Sequence, residues 1–478
     1  MHNSKVLILG GGISGLSTAW FLHRRGVEVE VLELNSHPGG SIATTSTQGY
    51  LVEHGPNSTL QKAGDVEDAL GRLVTDLDLT HRLIEASPLS SKRYVMRKGR
   101  MLPLPDSPRT FLTTPVFSIL AKLRLPLEIV TGWVYHEESI AAFVRRRLGE
   151  EFLTYAIEPF ISGVYAGDPK DLSVQAAVPK IYALEQQYGT LIVAAIMEGK
   201  AAKAIGSPRG RLVTFVDGMG ELPATIVQKL PPMTVRTGVE VLSLRPEEGG
   251  WRVLWRENGA GGSTVAQRVV LALPARAAAS VLYGIAPTAS RILSSIAYAP
   301  IASTALGYAM DQITHPLDGF GFLLPRKERI RLLGGLFSSS LFPKRAPPRK
   351  HLLTAFIGGA MDPGALNIPD APLIEQVHQD LSRCLGIRGG PEFVQLTRHQ
   401  AAIPQYHLGH LGRIAALDQA LMPFSGLHTC ANWRDGISVA NCIRNGELLA
   451  KRLVGEVDET QQTPETQQTL ETQQTPAS

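Results

Sequence analysis

The segment VLILGGGISGL, Val6 to Leu16, leaves a chain few choices of fold. Four apolar residues, Val6 to Leu9, read as a buried parallel strand. Gly10, Gly12 and Gly15 then follow at the spacing that allows a tight turn, close approach of backbone to a pyrophosphate, and close packing of the next helix on the strand. Gly11, Ile13 and Ser14 complete the turn and open that helix, whose unpaired N–H groups and dipole favour an anion. The helix is expected from Ser14 to Arg25, ending at Gly26. Val27, Val29 and Val31, alternating with Glu28 and Glu30, form the next strand. Glu33 falls about twenty residues past the glycines, where a carboxylate accepts hydrogen bonds from both ribose hydroxyls and repels a 2′-phosphate. The expected ligand is an adenine dinucleotide other than NADP.

A second glycine doublet, Pro38-Gly39-Gly40, follows Glu33 closely and favours FAD over NAD, because it lets the chain pass over the pyrophosphate a second time. Most of the chain away, GISVANCIRNGELLA begins at Gly436 and is expected to form the other lip of the same pocket. With 478 residues there is room for two or three domains. A net charge of +4 gives no support to a nucleic-acid partner. Cys384, Cys430 and Cys442 are odd in number and form no CxxC, which excludes a disulfide framework and fits a reducing compartment. No signal peptide is expected, since the first apolar run is already the cofactor strand, and no run is long enough to span a bilayer. The sequence offers no metal-ligand cluster and no side-chain catalytic acid or base, so the cofactor is expected to carry the redox chemistry.

From Phe111 to Tyr135 the apolar content exceeds what one buried helical stripe needs, and Pro126 would break a helix there. Two readings stand: a helix pair packed on its neighbours, or a surface lying on a membrane interface. Residues 210–280 read as the return of the first domain, with Val239 a candidate for backbone contact with adenine. From Tyr298 to Gln400 alternating strands with glycine-lined apolar faces suit a flat hydrophobic ligand. The closing repeats ETQQTP, ETQQTL and ETQQTP cannot bury enough surface to order themselves, so residues 457–478 are expected to be a disordered tail.

Six segments, LGGGISGL, KRYVMRKGRMLPLPDSP, PFISGVYAGDPKDLSVQAAVPKIYALEQQYGTL, GFGFLLP, GGLFSSSLFPKRAP and GISVANCIRNGE, give the chain its resemblance. It resembles the oxygen-dependent, FAD-dependent protoporphyrinogen and coproporphyrinogen III oxidases of haem biosynthesis, within the monoamine-oxidase-like flavoprotein superfamily. The resemblance implies an α/β fold: a Rossmann-like FAD-binding domain of the GR2, p-hydroxybenzoate-hydroxylase-like type, from residues 1–85, 208–285 and 400–456. It further implies a helical, membrane-facing insertion at 86–207 and a mixed-sheet substrate domain at 286–399.

By the same resemblance, Arg93 holds a propionate, while Phe320, Leu323, Leu336 and Phe356 wall the tetrapyrrole and Gly163 lines the site. His54-Gly55-Pro56-Asn57-Ser58 takes one face of the flavin. Trp433, Gly436, Ile437 and Val439 lie beneath it, where N–H groups favour charge at its N1/C2 edge. Ser41 stands where relatives carry a basic residue, and Arg434 either adds charge at the flavin mouth or faces solvent. The implied reaction is hydride transfer from porphyrinogen to FAD, with dioxygen reoxidising the flavin to give hydrogen peroxide. A cytoplasmic location, peripheral membrane contact, a homodimer and hand-off to a ferrochelatase are all compatible with this. Another amine oxidase or carotenoid desaturase, and a non-catalytic lipid-binding member of the fold, remain alternatives.

Overall fold

The computed structural model describes residues 5–61, 68–194, 197 and 210–461. Val6–Leu9 is the middle of a five-stranded sheet, with Val29–Leu32 and Val235–Arg236 on one side and Arg268–Leu271 and Leu427–Thr429 on the other, all parallel. The three inner strands are almost wholly apolar, as burial on both faces requires. The glycine turn leads into the helix Ile13–His23, buried at ten positions because the sheet covers one side and the terminal helix Val439–Gln461 another. Those two helices touch closely: a Cβ on Gly446 would lie 2.6 Å from Ser17 Oγ. Thus the first and last helices share one core, with Val439 packed among Ile13, Leu16 and Ile443.

A three-stranded meander, Val239–Glu247, Gly250–Glu257 and Ala260–Ala266, covers the other face of the parallel sheet. Beyond it stands a seven-stranded sheet, ordered Phe393–Pro404, Tyr298–Ala309, Lys350–Gly358, Leu332–Leu336, Gly321–Leu323, Arg93–Arg97, Arg100–Pro103. The last two strands come from the segment expected to be helical. They belong to the sheet because Arg93–Arg97 satisfies the backbone of Gly321–Leu323 in parallel register. One face of this sheet, carrying Tyr94, Phe322, Ala355 and Ile357, closes on the helix Asp370–Leu385.

The helices between residues 108 and 194 form a separate cluster around Phe117, Phe143, Phe152 and Tyr165. A π turn, Leu153–Ile157, interrupts the helix that carries Gly163, just before Pro159, which has no N–H to give to the preceding turn. Pro126 ends the helix Ile119–Arg124, and the chain continues as 3₁₀ turns through Val130. Beneath this stretch Glu128 is buried: it accepts the amides of Leu191 and Ile192 and faces the buried Arg147 guanidinium at 3.3 Å. The stretch is therefore pinned by its polar side while its apolar side faces outward. Ile119, Leu120, Leu123 and Val130 are between 67% and 80% exposed. A helix pair packed on its neighbours, the first of the two readings, fits Val116, Phe117 and Ala121, with Phe111 and Leu125 half-buried against the same core.

Among the described residues no helix is long and apolar enough to cross a membrane. The terminal helix continues to Gln461, five residues into the stretch expected to lack structure. The rest of that stretch lies outside the described residues.

Candidate active site

The cofactor half is made of backbone. Gly10 has φ +106°, and a Cβ there would lie 2.7 Å from Ala272 O; on Gly15 it would lie 2.0 Å from Gly10 O. Both glycines are therefore demanded by the crossing of strand and helix. Gly12 differs, since a Cβ there would meet nothing within 4 Å. It borders open space at the start of the helix, where a pyrophosphate needs room. The doublet lies directly on this turn: Gly39 N–H donates to Gly11 O at 2.7 Å, and Gly40 approaches the Cα of Gly12.

Glu33 is buried, and its two oxygens are shared. One accepts from Gly11 N–H at 2.6 Å, the other from the backbone and side-chain amides of Asn35. The carboxylate thus braces the glycine turn. Ser41 is exposed, and its carbonyl packs so closely on Gly55 that a Cβ there would come within 1.9 Å.

The loop His54–Ser58 lies against the seven-stranded sheet. His54 Nδ1 and Thr397 Oγ1 are 2.7 Å apart, and His399 Nε2 donates to His54 O at 2.7 Å. Farther on, Asn57 lines a small cavity with Ser338, Thr354 and Arg345. Pro56 and Ser58 are half-buried beside it. Glu53, just before the loop, accepts from Thr44 and from Met219 N–H, with Arg345 Nη1 at 3.4 Å. Desolvation nonetheless raises its pKa, the arginine opposing.

The substrate half is made of side chains, and the strand register collects them. Gly321 lies opposite both Arg93 and Leu336; Leu323 lies opposite Val95 and Gly334; Gly334 lies opposite Phe356. Cross-strand partners share a face. Arg93, Leu323, Leu336 and Phe356 therefore stand on one wall, with Ser303, Thr354 and Thr397 on the same side. The wall's apolar residues are half-buried, whereas their neighbours on the opposite face are fully buried. Arg93 places its guanidinium 5.2 Å from the Phe320 ring centre, and no ion pair is formed by it among the described residues. Arg97, two residues on, is already engaged by Glu151 and Val116 O. Gly163 covers the wall, its Cα so near Leu323 that a Cβ would lie 2.9 Å from Leu323 Cδ2.

Among the expected cofactor residues, Trp433 is placed otherwise than expected, and Val239 and Gly436 have their amides already engaged. Trp433 is wholly buried, with Nε1 bonded to Leu273 O, so its ring has no face left for a ligand and serves as an anchor. The amide of Val239 is spent on Glu33 O at 2.9 Å, because the meander needs that bond to join the parallel sheet. The amide of Gly436 is taken by the Tyr406 hydroxyl at 2.8 Å. Ile437 packs against the helical cluster, and Val439 opens the terminal helix beside Ile13. Arg434 turns away to Asp418 in a bidentate pair at 2.6 Å. The polar wall residues Ser303, Thr354 and Thr397 went unread in the sequence, since alternation gives the face of a strand but not which strand lies next to it. Tyr406 carried one weak signal, an aromatic residue between Pro404 and Gly409.

A parallel sheet with a glycine turn, joined to a large mixed sheet that presents a half-open apolar wall, defines a flavin-type dinucleotide oxidoreductase with a separate substrate domain. Residues 13–454 match the family model for flavin containing amine oxidoreductase, and the chain belongs to that family. Its cofactor is FAD: flavin by family, adenine dinucleotide by the glycine turn with Glu33.

Relatives include the chloroplastic protoporphyrinogen oxidase of Oryza sativa subsp. japonica, 33% identical over 474 residues, covering 91% of this chain and 85% of that one. The coproporphyrinogen III oxidase of Bacillus subtilis (strain 168) is 29% identical over 460 residues, covering 92% and 96%. A crystal structure from Exiguobacterium sp. 255-15, of a protein proposed to be a protoporphyrinogen oxidase, superposes with TM-score 0.80 at 22% identity, covering 95% of this chain and all of that one.

Proposed function

We propose that this flavoenzyme oxidises a porphyrinogen, protoporphyrinogen IX or coproporphyrinogen III, in haem biosynthesis. The observation that carries the reading is the wall itself: a flat, half-open apolar surface with one uncommitted guanidinium, Arg93, at its edge. When bound, FAD takes the electrons of the macrocycle and passes them to dioxygen. The chain supplies placement. Arg93 takes a propionate through a charge-assisted pair, and its contact with Phe320 holds the guanidinium at the rim. Leu323, Leu336 and Phe356 support the rings from one side, and the helix bearing Gly163, packed on Leu323, borders them at one edge and excludes water there. The substrate is greasy, and the outward leucines of the Ile119–Val130 stretch suit contact with a membrane interface from which it enters.

Anaerobic incubation of the holoenzyme with each porphyrinogen, then admission of air and detection of porphyrin fluorescence, tests the reading. Fluorescence far faster than autoxidation is expected for one of the two; none with either removes the proposal. Sedimentation with anionic phospholipid vesicles tests the surface, with loss of binding expected for Leu120→Asp/Leu123→Asp.

A further inference from the structure

The segment Pro404–His410 lies where the cofactor side, the helical cluster and the substrate sheet meet. Tyr406 is 2% exposed. Its hydroxyl donates to Asn432 O at 2.6 Å and accepts from Gly436 N–H at 2.8 Å. Its ring lies flat on His410, with centres 4.1 Å apart and planes 11° from parallel. Burial pushes the His410 pKa down to about 4, so the stack carries no charge near neutrality.

The phenol is also clamped from the helical side. Tyr406 O accepts from Ser173 N–H at 2.8 Å, Gln405 Nε2 donates to Tyr165 O at 2.8 Å, and Leu408 N–H donates to Asp171 O at 2.9 Å. Tyr165 ends the helix that carries Gly163. The hydroxyl is therefore fixed relative to the substrate-facing helix, and it grips a loop that has no strand partner. That loop turns sharply at Gly436, φ +125°, where a Cβ would lie 2.2 Å from Asn441 Nδ2.

The donors left over follow from this geometry. The Gly436 amide is spent on Tyr406, and the Asn441 amide is capped by Ser438 Oγ at 3.1 Å. Val439 and Ala440 remain as helix-start amides without an intrahelical partner. They follow closely on the pinned Gly436, in the turn by which the chain enters the terminal helix.

We propose that Tyr406 is a positioning residue: its hydroxyl fixes the loop Asn432–Gly436 and so aims the Val439 and Ala440 amides at the N1/C2 edge of the flavin, tying cofactor-side electrostatics to the substrate-side helix. This rests on the proposed function and on the flavin placement that the family resemblance implies. The backbone donors act where negative charge gathers, so a small shift in their aim changes rate more than binding of substrate.

The test uses FAD-loaded enzyme and Tyr406→Phe, which removes the hydroxyl and keeps the ring on His410. Sulfite binding is the main readout, because sulfite adds to the flavin and leaves negative charge at the N1/C2 edge. Sulfite affinity and kcat are each expected to fall about tenfold, with KM for the porphyrinogen within about twofold. His410→Phe, which keeps both stack and hydroxyl, is expected to leave sulfite affinity within about twofold. Unchanged sulfite affinity in flavin-loaded Tyr406→Phe, or equal changes in the two variants, overturns the proposal.

Hydrogen exchange of the Gly436 amide in wild-type holoenzyme needs no variant. Strong protection is expected, and exchange as fast as in an exposed loop overturns the proposal. If the wild-type enzyme binds FAD but turns over no porphyrinogen, the functional reading fails while the sulfite series still decides Tyr406.

Discussion

At the glycine turn the ligand space is framed by backbone, which leaves no room for a Cβ on Gly10 or Gly15 and opens only at Gly12; on the seven-stranded sheet it is framed by side chains that are themselves half-exposed. The first kind of site fails as a whole when a single Cβ intrudes. The second yields gradually, because each side chain contributes a share of contact. A cofactor that never leaves suits the first, and a substrate that must enter and depart suits the second.

The sharpest break comes from comparing the N-cap Gly12 with Gly15 in the first turn of the same helix, which are opposite in surroundings. Gly15→Ala drives a Cβ onto Gly10 O and is expected to cost more than about 3 kcal/mol, leaving little folded, yellow protein. Gly12→Ala meets nothing and is expected to leave the apoprotein's melting temperature unchanged while abolishing flavin retention, read by absorbance after gel filtration.

The two faces of the sheet offer the next contrast. Ile357→Ala opens a cavity against the helix Asp370–Leu385 and is expected to cost roughly 3 kcal/mol in denaturant unfolding without changing KM. Its neighbour Phe356 is half-exposed on the wall. Phe356→Ala is expected to cost less than about 1.5 kcal/mol and to raise KM severalfold.

On the cofactor side, stability should depend on pH through His410. Burial depresses its folded pKa to about 4, so the unfolded chain takes the proton first as pH falls. Stability is therefore full above the ordinary histidine pKa and falls between pH 6.5 and about 4, by up to roughly 3 kcal/mol. The difference between wild type and His410→Phe across that window, measured in denaturant, isolates this contribution. Equal slopes would assign the pH dependence elsewhere.

The smallest effect on stability is expected at the rim, where Arg93 is exposed. Arg93→Ala should raise KM for the porphyrinogen about tenfold, with kcat and flavin content unchanged. An unchanged KM would remove Arg93 from the wall.

How much of this could be read in advance follows from how local each constraint is. The turn from Val6 to Leu16 encodes its own geometry, since strand, turn and helix are consecutive, and Glu33 is only one βαβ unit away. The wall was legible only through resemblance. Leu323, Leu336 and Phe356 come from three strands, and their common face depends on a cross-strand register that no alternation pattern reveals. Arg93–Arg97 looked like part of a helical insertion because, besides its hairpin partner Arg100–Pro103, the strand that ties it to the large sheet lies more than two hundred residues away. The expected cofactor residues already engaged share one cause. Val239, Trp433 and Gly436 sit in the right segments, but which of their polar groups are already spent depends on partners such as Glu33, Leu273 and Tyr406.

By itself, then, the order of residues settled the dinucleotide turn, the need for glycine at its crossings and the choice of an adenine dinucleotide, because these follow from sterics and hydrogen bonding among near neighbours. Tertiary structure alone decided which side chains form the wall, which amides remain free beside the terminal helix, and that the leucines of Ile119–Val130 face outward over a buried Glu128. Those outcomes depend on register and burial between distant segments, and such pairings exist only once the chain has closed on itself.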